Sequence, residues 1–225
     1  MGTYILFMLL LSIIEQHIPF MAKIPSLKEL ASNTLMSNLV ETVSIYDELQ
    51  ICLNALEKEP PARKKLFDTF TLSEKLFVMA CQNSCFTLMN NLIRGHAREI
   101  CSVTAVNEGF YVACYFGQLD MVKFLMESKL HTYSHHGYAL WLACDAGHLS
   151  VVQYLVNHGI NDQEMINTGL SWACKSGHLI VVEFLVKYGA DIQYDNHYPF
   201  RCAYRHNQTN VINYFLELAN HRAEK

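Results

Sequence analysis

The sequence predicts an all-α solenoid, a row of stacked helix-turn-helix units preceded by a helical N-terminal segment. Two observations lead to this fold class: the chain resembles itself at a shift of 30 residues, and 51% of its 225 residues are hydrophobic whereas only 17% are charged. A short helix pair cannot bury its apolar face alone, so such units stack and each buries two faces. The formal net charge of −4 gives no dominant basic field, so we predict no nucleic-acid partner.

Residues 1–20 form a separate apolar segment, which contains the run from Tyr4 to Ile14. This run is shorter than the ~20 residues that a membrane helix needs, and no basic residue precedes it as in a signal peptide. Three interpretations stay open: a buried N-terminal helix, a weak membrane-associating segment, or an upstream extension before a start at Met21. The first and third are favoured, and we predict no membrane partner.

Residues 21–72 are predicted to form a helical segment that caps the first repeat. The run SLKE from Ser26 has the pattern of a capping box, for a helix that continues to about Val40. A second helix is expected from Ile45 to Leu56, because two prolines follow it and proline cannot continue a helix.

Five repeats follow, in which the same residue types return at fixed positions. The first helix of each unit passes through an alanine column, and a turn column follows it. The alanine column is Ala113, Ala143, Ala173 and Ala203, and the turn column is Gly117, Gly147, Gly177 and Asn207. Glycine most readily adopts the positive φ that a helix reversal often needs, and asparagine ranks second. The predicted repeats are 73–106, 107–136, 137–166, 167–196 and 197–222.

Three of the eight cysteines form a further column. Cys114, Cys144 and Cys174 lie 30 residues apart, and each follows an alanine. Packed helices lie about 8–10 Å apart, whereas a disulfide needs Cα atoms within roughly 7 Å. The spacing therefore predicts buried thiols rather than disulfides, and a reducing, cytoplasmic location.

The runs LWLACDAGHLSVVQYLVNHG and LSWACKSGHLIVVEFLVKYGAD resemble ankyrin repeats, whose consensus contains A-A-x-x-G-H-L-x-V-V-x-x-L-L-x-x-G-A-D. The resemblance implies a non-enzymatic scaffold that binds another protein. The period of 30 is similar to a subtype frequent in large DNA viruses and intracellular microbes, which implies a location inside a cell, including a host cell. The usual T-P-L-H start is replaced by the run YALW from Tyr138, so we expect an altered turn into that helix.

The resemblance implies partner contacts on the concave surface, at the two positions after each Ala-Cys pair and at the finger tips between repeats. The candidate partner-binding residues are Tyr115, Phe116, Asp145, Lys175, Ser176, Arg205 and His206, with Tyr133, Tyr194 and Asp195 at finger tips and Trp141 in a neighbouring column. Tyr115 and Phe116 are predicted to anchor an apolar side chain of the partner. For Trp141, core packing and partner contact stay equally open.

Residues 25–70 suggest an alternative function. Leu27, Ala31 and Leu35 resemble the BC-box of SOCS-box proteins, which recruit elongins B and C to a cullin ubiquitin ligase. The chain would then be a substrate adaptor, with a ubiquitin-ligase subunit as its second partner. Ala31 replaces the preferred cysteine, and leucines that pack on the first repeat explain the same pattern.

The chain contains no nucleotide-binding glycine loop, no HExxH and no EF-hand loop, so no enzyme, cofactor or metal site is predicted. Cys81 and Cys85 lie four residues apart but lack a second ligand pair at zinc-like spacing. A histidine cluster at His131, His135 and His136 is interpreted as a set of solvated finger residues rather than a metal site.

Overall fold

The computed structural model describes residues 39–58, 65–94, 102–128, 136–160 and 162–223. In chain order its helices are α1 (Leu39–Glu57), α2 (Leu72–Asn83), α3 (Phe86–Arg94), α4 (Val103–Tyr115), α5 (Leu119–Ser128), α6 (His136–Ala146), α7 (Leu149–Asn157), α8 (Gln163–Ser176), α9 (Leu179–Tyr188), α10 (Tyr194–Arg205) and α11 (Thr209–Ala223). The described ranges contain helices and turns but no strand, which confirms the all-α prediction. Within them, no helix is long and apolar enough to span a membrane.

The chain divides into two compact units. The first unit contains α1, α2 as far as Ala80, and α3. The second unit contains Cys81–Ser84 and helices α4 to α11. In the second unit the first helices of successive repeats pack on one another, α4 on α6, α6 on α8 and α8 on α10. The second helices α5, α7, α9 and α11 pack on one another in a parallel series, more sparsely than the first helices do. The predicted stack of helix pairs is thereby confirmed.

Left-handed residues reverse the chain between the two helices of each pair. Gly117, Gly147 and Gly177 have φ of 72°, 80° and 80°, and Asn207 has φ of 55°, as the turn column predicts. Ser84, which precedes α3, has φ of 55° and occupies the same place in the sequence pattern. This conformation costs a residue with a Cβ about 1–2 kcal/mol, so glycine is favoured where the repeat is most regular.

A second column follows each turn and reaches back to the preceding unit. This reach-back column is Gln118, His148, His178 and Gln208. Nε2 of His178 lies 2.9 Å from the carbonyl oxygen of Asp145. Nε2 of Gln208 donates to the carbonyl oxygen of Lys175 at 3.0 Å, and Gln118 donates to the carbonyl of Gln82 at the same distance. The hydrogen bonds repeat in register because each unit presents the same carbonyl to the next.

The glycines of the turn column leave room for these reach-back side chains. A Cβ added to Gly147 would lie 2.5 Å from Nδ1 of His178, and one added to Gly117 would lie 2.5 Å from Nδ1 of His148. The turn and reach-back columns are therefore coupled, since the glycine both permits the positive φ and accommodates the ring of the next repeat.

The helix ends follow local capping chemistry. Asp162 caps α8 by accepting a hydrogen bond from the backbone N–H of Met165 at 3.0 Å, so α8 begins at Gln163, before the predicted repeat boundary between residues 166 and 167. Gly189 is the C-cap of α9 and has φ of 115°. The C-cap of α7 is instead His158, whose ring stacks on that of Tyr154 with centroids 4.0 Å apart, and Gly159 follows it.

The start of α10 is irregular. Asp195, Asn196 and His197 all have positive φ, from 46° to 59°, so the right-handed helix proper begins at Tyr198. Pro199 then occupies the first turn of that helix, where its missing N–H leaves no hydrogen bond unmade.

The first unit uses carboxylates rather than a repeating column to fix its helices. Glu48 on α1 accepts hydrogen bonds from the backbone N–H groups of Thr87 and Leu88, at 3.3 and 2.6 Å, and so caps the start of α3. Glu74 accepts from the N–H of Thr71 at 2.8 Å in a reciprocal capping box, which begins α2. Helix α1 covers the expected second helix, whereas the proposed capping of the repeats by residues 21–72 stays a prediction.

Candidate partner-binding surface

The first helices α4, α6, α8 and α10 each carry a set of side chains that the packing between repeats does not bury. We call this set of solvent-accessible side chains the first-helix face. Because α4, α6, α8 and α10 pack in succession, residues that share a repeat position lie in a row across the face. Its most regular row, the surface column, is Tyr115, Asp145, Lys175 and Arg205.

Two adjacent aromatic residues lie exposed at the end of α4. Tyr115 and Phe116 are 43% and 42% exposed, and their rings meet edge to face with centroids 5.3 Å apart. Both side chains are large and hydrophobic, yet their mutual contact leaves much of each ring accessible to water. The exposure predicted for the pair is thus present, while its role as an anchor stays a prediction.

A second aromatic group joins α4 to α6. The ring of Tyr111 meets the ring of Tyr138 edge to face at 4.9 Å, and Tyr138 meets Trp141 at 6.4 Å. Trp141 is half-buried, and its indole N–H donates to the carbonyl oxygen of Met165 at 3.2 Å, so it both packs between repeats and presents an edge to solvent. Burial raises the pKa of the Tyr111 hydroxyl, and the carboxylate of Glu108 acts in the same direction.

Polar groups occupy the middle of the face, on α6 and α8. The hydroxyl of Ser176 donates to the carboxylate of Asp145, which links two neighbouring units through two of the predicted site residues. Nζ of Lys175 lies 4.2 Å from the ring centroid of Trp172. This cation–π contact holds the ammonium of the lysine at the surface, where it is half-buried.

The far end of the face, on α10, is basic. Arg205 and His206 are exposed, and Arg201 lies over the ring of Tyr198 at 5.7 Å. A hydrogen bond with Cys202 raises the pKa of Tyr198, whereas the positive charges of Arg205 and Arg201 act on it in the opposite direction.

The finger before α10 is fixed by a buried amide. The side-chain oxygen of Asn167 accepts from the backbone N–H of Asp191 at 2.8 Å and from Gln163 at 3.0 Å. Beyond this anchor, Tyr194 is half-buried and Asp195 is exposed in its left-handed conformation. The finger-tip candidates on this side are therefore held at the surface by the buried Asn167.

Several predicted residues lie outside the described residues. They are Tyr133 in the finger before α6 and the ligase-docking candidates Leu27, Ala31 and Leu35. The adaptor alternative and the cytoplasmic location stay predictions. In the ranges that the structure does describe, no cluster of His, Cys, Asp and Glu could hold a metal ion.

Sequence reasoning missed two members of the face, Tyr138 and Trp172. Tyr138 is 48% exposed and connects Tyr111 to Trp141, and Trp172 supports Lys175. A usable signal was present in both cases, because each lies three residues before a predicted site residue and such residues share a helix face.

The comparisons with known proteins agree with this geometry. A family model described as ankyrin repeats in three copies matches residues 76–165, and a model described as an ankyrin repeat matches residues 166–193. No curated protein gives a significant match to the chain. Together the two matches run from α2 to the end of the α8–α9 pair, and they include the repeats that carry most of the first-helix face.

Proposed function

The chain belongs to the ankyrin-repeat family, whose members are typically non-enzymatic scaffolds for protein–protein interaction, and we propose that it holds an extended segment of a partner protein across the first-helix face. The partner segment places an apolar side chain on the aromatic end, at α4 and α6, and acidic side chains on the basic end, at α10. Binding requires no chemistry on the partner, only a rigid surface with the right order of groups.

The observation that carries this proposal is the exposed pair Tyr115 and Phe116. Their repeat positions hold the smaller or polar residues Asp145 and Ala146 in the next unit, so the fold itself does not require aromatic rings there. Exposed aromatic side chains supply large contact areas at low entropic cost and are enriched among the residues that dominate binding energy.

The order of charges along the face indicates the chemistry of the partner. The surface column passes from an aromatic residue through Asp145 to Lys175 and Arg205, and Arg201 adds to the basic end. A partner segment that lies along this row binds α10 through its own carboxylates and binds α4 through an apolar side chain. Such complementarity fixes the direction of the segment as well as its affinity.

Geometry sets the length of the segment. Neighbouring helices lie about 8–10 Å apart, so the three steps from α4 to α10 span about 24–30 Å. An extended chain advances about 3.3–3.6 Å per residue, so about 8 residues cross the face. Random peptides of about 12 residues are therefore long enough to include the whole recognised segment.

A displayed library of such peptides, selected on the immobilised full-length chain, tests the proposal. We expect the selected sequences to contain an aromatic or large aliphatic residue and, several residues away, two or more acidic residues. Their dissociation constants should rise at least tenfold for Tyr115→Ala/Phe116→Ala, about 1.4 kcal/mol, and affinity should fall as ionic strength increases.

Ile180→Ala provides the matched control. Ile180 is 66% exposed but lies on α9, a second helix, so its loss removes a comparable apolar group outside the first-helix face. Peptide binding should be unchanged in this variant. A library that yields no binder, or binders equally tight on wild type and on Tyr115→Ala/Phe116→Ala, contradicts the proposed function.

A further inference from the structure

Two cysteines in the first unit lie in contact although they are 33 residues apart in sequence. Sγ of Cys52, on α1, lies 3.7 Å from Sγ of Cys85, the residue before α3. The side chains are 0% and 2% exposed, and neither belongs to the column of Cys114, Cys144 and Cys174. Cys85 follows the left-handed Ser84 and so takes the place of a reach-back residue, and its thiol meets Cys52 where α1 packs on α3.

Neighbouring backbone groups hold this pair in place. The N–H of Cys85 donates to the carbonyl oxygen of Ala80 at 3.0 Å, and its thiol lies 3.8 Å from the carbonyl oxygen of Glu48. Since Glu48 also caps α3 through Thr87 and Leu88, the same residue of α1 fixes both the helix start and the thiol before it. The backbone of Cys85 and the helix start that follows it are therefore hydrogen-bonded, and the Cys85 thiol contacts α1 directly.

The electrostatic surroundings of Cys85 differ from those of the column cysteines. A hydrogen bond from Cys52 lowers the pKa of the Cys85 thiol, although burial and the carboxylate of Glu48 oppose this effect. Burial raises the pKa of Cys114, Cys144 and Cys174 far above the usual value. The thiolate is the reactive form of cysteine, so Cys85 is a better nucleophile than the column cysteines.

We propose that Cys52 and Cys85 are a redox site that forms a reversible disulfide between α1 and the start of α3 when the protein meets a hydroperoxide. The sulfurs are already in van der Waals contact, 3.7 Å apart, and a bond at about 2.05 Å requires them to approach by about 1.7 Å. The disulfide closes the loop from residue 52 to residue 85, which makes the first unit harder to unfold.

With hydrogen peroxide as oxidant the step balances in two stages. The sulfur of Cys85 attacks one peroxide oxygen, the O–O bond breaks, and water leaves with the thiol proton, so that Cys85 becomes a sulfenic acid. The sulfur of Cys52 then attacks the sulfur of Cys85, the S–O bond breaks, and the departing hydroxide takes the Cys52 proton as a second water. Two electrons pass from the sulfurs to the peroxide, and a dithiol reductant reverses the result.

Peptide mapping of the full chain tests the site. The protein is treated with hydrogen peroxide, quenched with catalase, alkylated in denaturant and digested, and the linked peptides are sequenced by mass spectrometry. We expect a Cys52–Cys85 link that dithiothreitol removes, with Cys144 still alkylated as a free thiol. Loss of the reduced Cys85 should be at least about tenfold faster than loss of the reduced Cys144.

Two variants make the assignment specific. Cys81→Ala removes the second cysteine from the tryptic peptide that contains Cys85 and should leave the link intact, whereas Cys52→Ser should abolish it. A wild-type chain that stays fully reduced, a link to a different cysteine, or Cys85 oxidised to sulfinic acid without a link would each overturn the proposal. The wild-type map distinguishes these outcomes even where a variant folds poorly, and it is independent of peptide binding by the repeats.

Discussion

The second unit contains two kinds of residue column that differ in how they vary from repeat to repeat. The turn and reach-back columns keep nearly the same chemistry in every unit: a left-handed residue is followed by a His or Gln whose amide or ring reaches the preceding repeat. The surface column, a few residues away, changes at each step from Tyr115 to Asp145, Lys175 and Arg205. The constant side chains contact the preceding unit, whereas the variable ones are half-buried or exposed and share no common partner.

The difference has a physical cause. A side chain that contacts the neighbouring unit meets the same backbone carbonyl and the same turn in every repeat, so one solution serves all of them. Side chains on the first-helix face make contacts that differ from repeat to repeat, such as Asp145 with Ser176 and Lys175 with Trp172, so the fold places no common demand on them. The periodic columns hold the stack together, and we propose that the variable column serves recognition.

Among the variants that test this distinction, Gly147→Ala is expected to lose the most stability. The new Cβ must adopt a positive φ, at a cost of about 1–2 kcal/mol, and it displaces the ring of His178, whose hydrogen bond contributes about 1 kcal/mol more. We expect the free energy of unfolding to fall by about 2–3 kcal/mol in a urea titration.

Gly189→Ala distinguishes the cost of backbone strain from the cost of the clash between the new Cβ and a neighbouring side chain. Gly189 also has a positive φ, but an added Cβ there meets nothing within 4 Å. This variant should lose only the strain energy, about 1–2 kcal/mol. In addition, Gly147→Ala/His178→Ala should cost less than the sum of its two single variants, because removing the ring relieves the clash. Strict additivity would argue against the coupling between the two columns.

The next largest effect is expected for His178→Ala. The substitution removes the hydrogen bond to Asp145 and the ring that lies against Gly147, which should cost about 1–2 kcal/mol in the same titration. His178→Gln is the matched control, since Gln208 makes the equivalent bond one repeat later. The reach-back account requires the glutamine variant to keep most of the stability; equal losses in both variants would contradict it.

The cysteine column predicts a dependence of stability on pH. Burial raises the pKa of Cys144 in the folded state, so between the unfolded pKa near 8.5 and the folded pKa the native state binds more protons than the unfolded state. Each such thiol should therefore lower the free energy of unfolding by about 1.4 kcal/mol per pH unit above about pH 8.5. Urea titrations in reducing buffer measure this slope.

Cys144→Ala should reduce the steepness of that slope by the contribution of one thiol, about 1.4 kcal/mol per pH unit. This change is expected whatever stability the variant loses at neutral pH. The comparison of slopes removes the cost of the cavity, which is the same at every pH. A slope identical to that of wild type would mean that the Cys144 thiol is not shielded as the packing of α6 on α8 requires.

The repeat pattern made most of the second unit predictable, because helix pairs, turn positions and buried thiols all return at a fixed spacing. Gly117 and Asn207 could be assigned a positive φ from residue type alone. The rows of the first-helix face followed from the same register. These features depend on local sequence and on contacts between identical neighbours, which a single sequence displays.

Features that depend on contacts between unlike segments were not predictable. The capping of α3 by Glu48 and the contact of Cys52 with Cys85 each join α1, which lies outside the predicted repeats, to the start of α3. Cys81 and Cys85 lie four residues apart in sequence but not on one helix, because α2 ends at Asn83 and Cys85 lies before α3. Likewise, the partner of the Trp141 indole N–H is a carbonyl of the next unit, which residue type alone does not reveal.

We propose that stability and recognition reside in different columns of the same repeats. The most direct measurement takes one library-selected peptide and determines, for Tyr115→Ala/Phe116→Ala and for His178→Ala, both its dissociation constant and the free energy of unfolding, with binding measured well below the unfolding transition. We predict that the aromatic double variant loses at least tenfold in affinity while its stability changes by less than about 0.5 kcal/mol, and that the histidine variant loses about 1–2 kcal/mol of stability while its affinity stays within about twofold of wild type. Equal effects of both variants on both quantities would contradict the account.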